Sequence, residues 1–338
     1  MINIFGLTYE KLCKKLSELG CKKFLASQIF DWIYKKNNYN LESYSNVKKE
    51  NRELLSNEFN FDFIKIEKVE EDKDVKKFLF RLLDGQKIEA VLMYHDYGKS
   101  ICVSSQVGCN MGCKFCESGR LKKVRNLETY EMVEQILLVS DYIKERIDSV
   151  VVMGIGEPFD NFDIVVDFIK IINDPKAFEI GARHITVSTC GIVPKIIEFA
   201  KLGIQANLAI SLHAPSDEIR NKIMPISKAY PMNELIEGIK KYIDITHRRV
   251  AIEYIMLNGI NDSEDDARLL CNLLKDINVY INLIPYNETN NIDYKASSKN
   301  KIDKFYNVLK EMGMDATIRR AFGEKISAAC GQLRSKEM

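Results

Sequence analysis

Cys102, Cys109, Cys113 and Cys116 are four of the nine cysteines in this 338-residue chain, and they share one short stretch, Cys-Val-Ser-Ser-Gln-Val-Gly-Cys-Asn-Met-Gly-Cys-Lys-Phe-Cys. The last three follow a C-x3-C-x2-C spacing, and Cys102 stands upstream of them. A structural zinc site closes with four ligands, often as paired C-x2-C units, and no second pair is present. Iron–sulfur clusters are held by thiolates, normally four. Three thiolates, Cys109, Cys113 and Cys116, would hold a [4Fe-4S] cluster and leave one iron open. S-adenosylmethionine suits an open iron, because its amino and carboxylate groups can chelate it. An electron passed from the cluster then cleaves the sulfonium and yields a 5′-deoxyadenosyl radical. The cofactor carries that chemistry; the protein orients it and keeps water out.

A second motif, Gly154-Ile-Gly156-Glu157-Pro158, follows an expected strand. Glycine lets a backbone approach a ligand closely, and Glu157 can accept hydrogen bonds from an ammonium. Beside an open-iron cluster this turn is the expected edge for the methionine amino group.

These residues need elements to place them. After Ser100 the chain alternates strand and helix. Expected strands cover 101–104, 149–153, 184–188, 207–212, 250–256 and 279–284. Amphipathic helices are expected at 129–147, 162–172, 194–202, 232–242 and 263–274, then a helix over 301–312 and a strand over 316–319. Repeated β/α units imply a parallel sheet, open or curved toward a barrel, with chemistry at the C-terminal ends of its strands. The cysteines, Glu157, Ser188, Ser211, Leu212, His213 and Asn287 all fall at or beyond such ends. Before Ser100 the pattern differs. Thr8 caps an expected helix carrying Leu12, Leu16 and Leu19, and Gly20 ends it. Further helices are expected at 25–34 and 49–59. The alternation over 63–69, the strand at 77–82 and the Asp84-Gly85 turn into 87–93 predict a β-hairpin region.

Composition is ordinary for a globular protein. Net charge is +1, with 49 basic and 48 acidic residues, which argues against a generic polyanion binder. Basic residues nevertheless cluster at Lys22-Lys23, Lys35-Lys36, Lys48-Lys49 with Arg52, Lys76-Lys77, and Lys122-Lys123 with Arg125. Any one of them reads as a solvated face; together they suggest nucleic-acid contact. No signal peptide and no run of about 20 apolar residues is seen, so a cytoplasmic protein without a membrane span is expected. In that compartment clustered cysteines point to metal or catalysis. Cys13, Cys21, Cys190 and Cys271 have no partner at ligand spacing and read as ordinary packing residues.

The chain resembles the RlmN/Cfr family of ribosomal RNA adenine methyltransferases within the radical S-adenosylmethionine superfamily. The resemblance covers nearly the whole length. It is carried by Gln28-Ile-Phe-Asp-Trp-Ile-Tyr34, the Cys102–Cys109 string, Arg125-Asn-Leu127 and Gly154-Ile-Gly-Glu-Pro158. Leu208-Ala-Ile-Ser-Leu-His-Ala-Pro215, Met224-Pro-Ile226, Asn282-Leu-Ile-Pro-Tyr-Asn287 and Ala328-Ala-Cys-Gly-Gln-Leu333 complete it. It implies an α/β fold: a partial (β/α)6, TIM-like radical SAM barrel over 96–300. A helical RNA-binding accessory domain is expected over 1–60, a β-hairpin linker over 61–95, and a C-terminal helix, strand and catalytic cysteine loop over 301–338.

The resemblance implies methylation of C2 of an adenosine in 23S ribosomal RNA, at the peptidyl-transferase centre, with transfer RNA as a second candidate substrate. Two S-adenosylmethionine molecules are consumed per methyl group. Cys330 would carry the methyl group as a thioether, Glu89 would accept the ring proton, and Cys102 would release the adduct through a transient disulfide. Gly156, Glu157, Ser188, Ser211, Leu212, His213 and Asn287 would line the S-adenosylmethionine site. A one-electron donor of flavodoxin or ferredoxin type and a monomeric enzyme are expected. The alternative within the family is the C8 branch, which protects ribosomes from antibiotics. A non-catalytic RNA-binding protein with a structural metal is the alternative outside it. Trp32 shares a helical face with Ile29 and Ile33 and reads as packing, while Phe115 and Tyr94 are candidates for stacking on an extruded base. The chain departs from the family pattern at Glu117-Ser-Gly119, Cys190, Glu288, Phe322 and Glu324-Lys-Ile-Ser327.

Overall fold

The computed structural model describes residues 1–289, 291–319, 326, 328–329 and 331–333. Thr8 accepts a hydrogen bond from the Lys11 N–H and starts helix α1 (Tyr9–Glu18), as its position predicts. Helix α2 (Phe24–Phe30) runs into a π-helical turn, Asp31–Lys35, where one continuous helix is expected from sequence. Helix α3 (Lys49–Glu58) follows. Ile2–Asn3 pairs in parallel with Phe59–Asn60, tying the start of the chain to the end of α3.

One sheet dominates the described residues. It contains the strands β1 (Lys65–Asp72), β2 (Val75–Arg81), β3 (Lys87–His95), β4 (Gly98–Cys102), β5 (Ser149–Val152), β6 (Ile185–Thr189), β7 (Asn207–Ser211), β8 (Val250–Met256), β9 (Val279–Pro285) and β10 (Ala316–Ile318). Their spatial order is their order in sequence. The first four pair antiparallel and the rest parallel, so β4 is antiparallel to β3 and parallel to β5. The hairpin region therefore continues the parallel sheet. Gly85, with a φ of +85°, turns the chain between β2 and β3 as the Asp-Gly pair predicts. The turn between β3 and β4 has no such signal and is absent from the sequence expectation.

Helices α4 (Thr129–Ile143), α5 (Phe162–Asn173), α6 (Val193–Lys201), α7 (Asp217–Ile223), α8 (Met232–Thr246), α9 (Glu264–Leu274) and α10 (Lys299–Glu311) fill the crossovers. Helix α4 stops four residues before its expected end because Lys144 turns left-handed, with a φ of 55°. The main apolar core runs from Phe5, Leu12 and Phe30 through Phe78 and Phe80 to Phe168, Phe199 and Phe305, with smaller clusters around Phe115 and Val91. The sheet is thus an α/β framework with two free edges, β1 and β10, curved around a cavity at the strand C-termini. Among the described residues no helix is long and apolar enough to cross a membrane.

Candidate functional site

The cysteine loop leaves the end of β4 and is closed at its base by a short antiparallel pair, Gln106–Val107 with Arg125–Asn126. Inside that closure the loop is fixed by its own backbone. The Cys109 N–H donates to Leu121, Cys116 to Cys113, and Gly119 to Cys116. The Lys114 N–H donates to the Ile223 carbonyl at the end of α7, docking the loop on that helix. Cys109, Cys113 and Cys116 line one cavity with Cys102, Gly156, Glu157, Ser188, Ser211 and His213.

The donor set fits a thiolate-bound cluster. All three residues are free cysteines. Burial pushes the Cys109 thiol up to about 12 and raises Cys113 and Cys116 as well, each with a smaller push from a neighbouring thiol or carboxylate. Thiolates desolvated in this way require a cation beside them. Among the described residues no three His, Cys, Asp or Glu side chains converge as they would on a single ion. Three free thiols on the wall of one cavity match the donor type of a thiolate-bound cluster.

The Gly154-Ile-Gly156-Glu157 turn packs against residues 103–106. A Cβ on Gly156 would lie 2.7 Å from Gln106 Cβ, and the residue's φ is +112°. A Cβ on Gly154 would lie 2.7 Å from the Val103 carbonyl. Only glycine fits either position. The buried Glu157 carboxylate accepts from the Phe159 N–H at 3.0 Å and from the Cys190 N–H at 2.7 Å, joining the ends of β5 and β6. Burial raises its pKa against hydrogen bonds from the Thr189 side chain and from Cys190 and Phe159.

At the next strand ends, Ser188 and Ser211 hydroxyls are 3.4 Å apart. His213 is buried with a φ of 57°, and its Nδ1 accepts from the Ile255 N–H at 3.1 Å. Its ring meets Phe115 edge-on at 4.9 Å. Burial, aided by the Arg220 charge, lowers its pKa to about 3, so the ring is neutral with its proton on Nε2. Leu212 and Asn287 are buried beside the site but do not line the cavity. Arg220 holds this corner together. Fully buried, it donates to the carbonyls of Leu212, Cys190 and Tyr230. Nothing in the sequence singles it out.

Glu253 is a further residue missed from sequence. It lies in a strand whose seven residues are all buried, and it faces the cavity. Its Oε1 accepts from Asn282 Nδ2 at 2.9 Å, and Oε2 lies 3.8 Å from Arg319 Nη1. A carboxylate in the middle of an apolar run is a legible signal of a polar barrel interior.

On the antiparallel side, Val91 and Met93 line the cavity and Glu89 does not. Glu89 is 1% exposed, and its Oε1 lies 3.6 Å from Lys77 Nζ. Desolvation raises its pKa to about 7, with Lys77 opposing the rise. Lys77, expected as part of a solvated basic pair, is buried: alternation along β2 puts it on the face toward Glu89, while Lys76, 23% exposed, lies on the other face at the rim of the main core. Ala328, Ala329 and Gly331 also line the cavity, and the Glu117 N–H donates to the Gly331 carbonyl at 2.8 Å. Cys330 lies outside the described residues, as do Phe322, Glu324, Lys325 and Ser327.

Several basic clusters are engaged within the chain. Lys35 pairs with Glu179, Lys36 with Asp31, Lys123 with Asp160, and Arg125 with Asp84 and Glu131. Trp32 stacks on Tyr44 at 5.0 Å and donates to Asn46, in keeping with a packing role. Phe115 is buried against His213, and Tyr94 does not line the cavity.

Residues 103–271 match the radical SAM superfamily, and residues 2–60 match the ribosomal RNA large subunit methyltransferase N-terminal domain. A Spiroplasma citri protein named as a probable dual-specificity RNA methyltransferase RlmN is 51% identical over 340 residues, covering 99% of this chain and 98% of its own. A protein of the same name from Listeria monocytogenes serotype 4a is 50% identical over 345 residues, covering 99% and 94%. The crystal structure of a radical SAM methyltransferase from Sphaerobacter thermophilus superimposes with a TM-score of 0.94 at 36% identity, covering 99% of this chain and all of that one.

Proposed function

This chain belongs to the RlmN family of radical SAM RNA methyltransferases, and we propose that it methylates C2 of an adenosine in 23S ribosomal RNA. Transfer RNA is proposed as a second substrate, in keeping with the dual specificity in the names of its relatives. Residues 1–60 are proposed to grip the RNA. The enzyme acts as a monomer in the cytoplasm, with a flavodoxin- or ferredoxin-type protein supplying electrons.

The observation that carries this reading is the cavity itself. Three cluster-type thiols, a glycine turn bearing Glu157 and a fourth thiol, Cys102, surround one space. Cys109, Cys113 and Cys116 are the proposed holders of a [4Fe-4S] cluster. Gly156, Glu157, Ser188, Ser211, Leu212, His213 and Asn287 are proposed to form the S-adenosylmethionine site. Bound together, the two groups supply one-electron chemistry able to take hydrogen from a methyl thioether.

The remaining roles fall to the chain's own side chains. Cys330 takes a methyl group as a thioether, and its carbon becomes bonded to adenine C2. Glu89 accepts the proton lost from that ring carbon. The Cys102 thiolate attacks the Cys330 sulfur; the S–C bond breaks as the S–S bond forms, the freed methylene carbon takes up a proton to complete the methyl group, and the one surplus electron would return to the bound redox group. Neutral His213 offers Nε2–H as a donor to an adenine or ribose acceptor.

Mass mapping of ribosomal RNA from cells with and without this chain tests the assignment. A 2-methyladenosine that depends on the chain is the expected result. An 8-methyladenosine would move the chain to the C8 branch, and no new methyladenosine would remove both. Cys102→Ala is expected to trap a covalent RNA adduct through Cys330; clean turnover by that variant would defeat the release role.

A further inference from the structure

Lys77, Glu70 and Glu89 form an ionic cluster on three successive strands. Glu70 stands opposite Lys77 in the β1–β2 register, and Leu79, two residues along, stands opposite Glu89 in β2–β3. Lys77 Nζ is 2.7 Å from Glu70 Oε2 and 3.6 Å from Glu89 Oε1. The side chains of Lys77 and Glu89 are 8% and 1% exposed, and that of Glu70 is 34% exposed.

Buried charges are stable only when paired; Lys77 lies between two carboxylates, and Glu70 has a second partner, the half-exposed Lys68, whose Nζ is 3.3 Å from its Oε1. The shorter contact goes to Glu70. Glu89 Oε2 is buried without a hydrogen-bond partner among the described residues. Its carboxylate is thus the under-compensated member. Lys77, Glu70 and Glu89 alone sum to one negative charge, which Lys68 offsets from the exposed side of Glu70; a proton on Glu89 leaves the Lys77–Glu70 pair neutral by itself. That proton does not strand the ammonium, because Glu70 still holds it. Cys102 stands on the same face of the adjacent strand, β4. Lys68 acts from β1. From the loop after β4, Ser104 Oγ donates to the Glu89 backbone carbonyl and leaves the carboxylate alone.

We propose that Lys77 and Glu70 are positioning residues that set the charge of Glu89, Lys77 holding it ionised and Glu70 retaining the ammonium once Glu89 is neutral. The proposal deepens the reading of Glu89 as proton acceptor and rests on it for its catalytic meaning. The opposed signs of the two neighbours make it testable. Lys77 favours the carboxylate, and Glu70 opposes it.

The test is an infrared pH titration of the full-length protein, following the protonated-carboxyl band that disappears in Glu89→Gln. Lys77→Met is expected to move the midpoint upward by about 1–2 pH units, and Lys77→Arg to restore it. Glu70→Gln, a near-isosteric change at a partly exposed site, is expected to move it downward. That second variant keeps the test valid where Lys77→Met folds poorly, as circular dichroism would report. Shifts in opposite directions support the proposal. No shift in Glu70→Gln, or shifts of the same sign, overturn it. The pH profile of methyl transfer to RNA is measured on the same variants. A profile that ignores the carboxyl midpoints would remove Glu89 from its role as base, a failure distinct from that of the charge cluster.

Discussion

Val91 and Cys102 stand directly opposite one another across the β3–β4 pair, which places Glu89, two residues from Val91, on the same face of the sheet as the Cys102 thiol. The proposed proton acceptor and the proposed releasing thiol are therefore held by adjacent hydrogen-bonded strands. The opposite face, with Ile88, Ala90 and Leu92, is sealed into the main core. The Cys102 face is covered instead by Ala328, Leu333 and Ile326 from the C-terminal segment. Two reacting groups on a rigid ladder hold their mutual position better than two on loops.

The acid limb of methyl transfer should follow Glu89. A carboxylate accepts a proton only when ionised, and burial brings its midpoint to about 7. Single-turnover methyl transfer is expected to rise with pH through the neutral range and level off above it. Glu89→Gln should remove that limb and slow transfer by about 100-fold or more. An unchanged limb in the variant would assign the titration to another group.

Gly156→Ala should be poorly tolerated. The residue has a left-handed φ, and the added Cβ meets Gln106. A loss of about 1–3 kcal/mol in urea unfolding is expected, together with weaker S-adenosylmethionine retention in equilibrium dialysis. Wild-type stability and binding would show that the turn relaxes freely.

Cys190 stands in the cavity near the cluster cysteines, yet its backbone N–H, not its sulfur alone, anchors Glu157. Cys190→Ser should keep a full iron load after anaerobic reconstitution. Cys113→Ala should lose most of it. Equal iron loss in both would make Cys190 a ligand and close the open iron.

Arg220→Met removes the donor shared by three buried or partly buried carbonyls. Leaving buried acceptors unpaired costs about 1–3 kcal/mol each, so a loss of about 3 kcal/mol in chemical denaturation is expected. A near-neutral variant would mean that water replaces the guanidinium.

Nitrogen NMR of the histidines should find one ring, His213, that stays neutral from pH 5 to pH 8 as its proton remains on Nε2. Burial and the Ile255 hydrogen bond dictate both features. A His213 signal titrating near 6.5, the ordinary histidine value, would place the ring in water.

Much of this site is legible in the residues and their spacing. Cys109, Cys113 and Cys116 are evenly marked by theirs, and Gly156, Glu157, Ser188, Ser211 and His213 sit at ends of strands that periodicity predicts. Their convergence then follows from the β/α pattern. Lys77 is hidden for the opposite reason. Two adjacent lysines look alike in a sequence, and only the phase of the strand decides which one shares a face with Glu89. Arg220 is hidden because its partners are backbone carbonyls, which carry no residue signature. The merging of β1, β2 and β3 with the parallel sheet is hidden by the β3–β4 turn, which lacks a glycine-led dipeptide of the usual hairpin kind. Gly98, with a φ of +133°, follows it instead.

The consecutive order of the ten strands bears on how the molecule assembles. Each strand is added at the rim of what is already built, and none must be threaded between two earlier neighbours. A chain emerging from the ribosome can lengthen this sheet from one side, β1 first and β10 last. Ala328, Ala329, Gly331 and Leu333 arrive after the last strand, so the wall they contribute is the final one raised. Until then the cavity lined by Cys109, Cys113 and Cys116 lacks that wall.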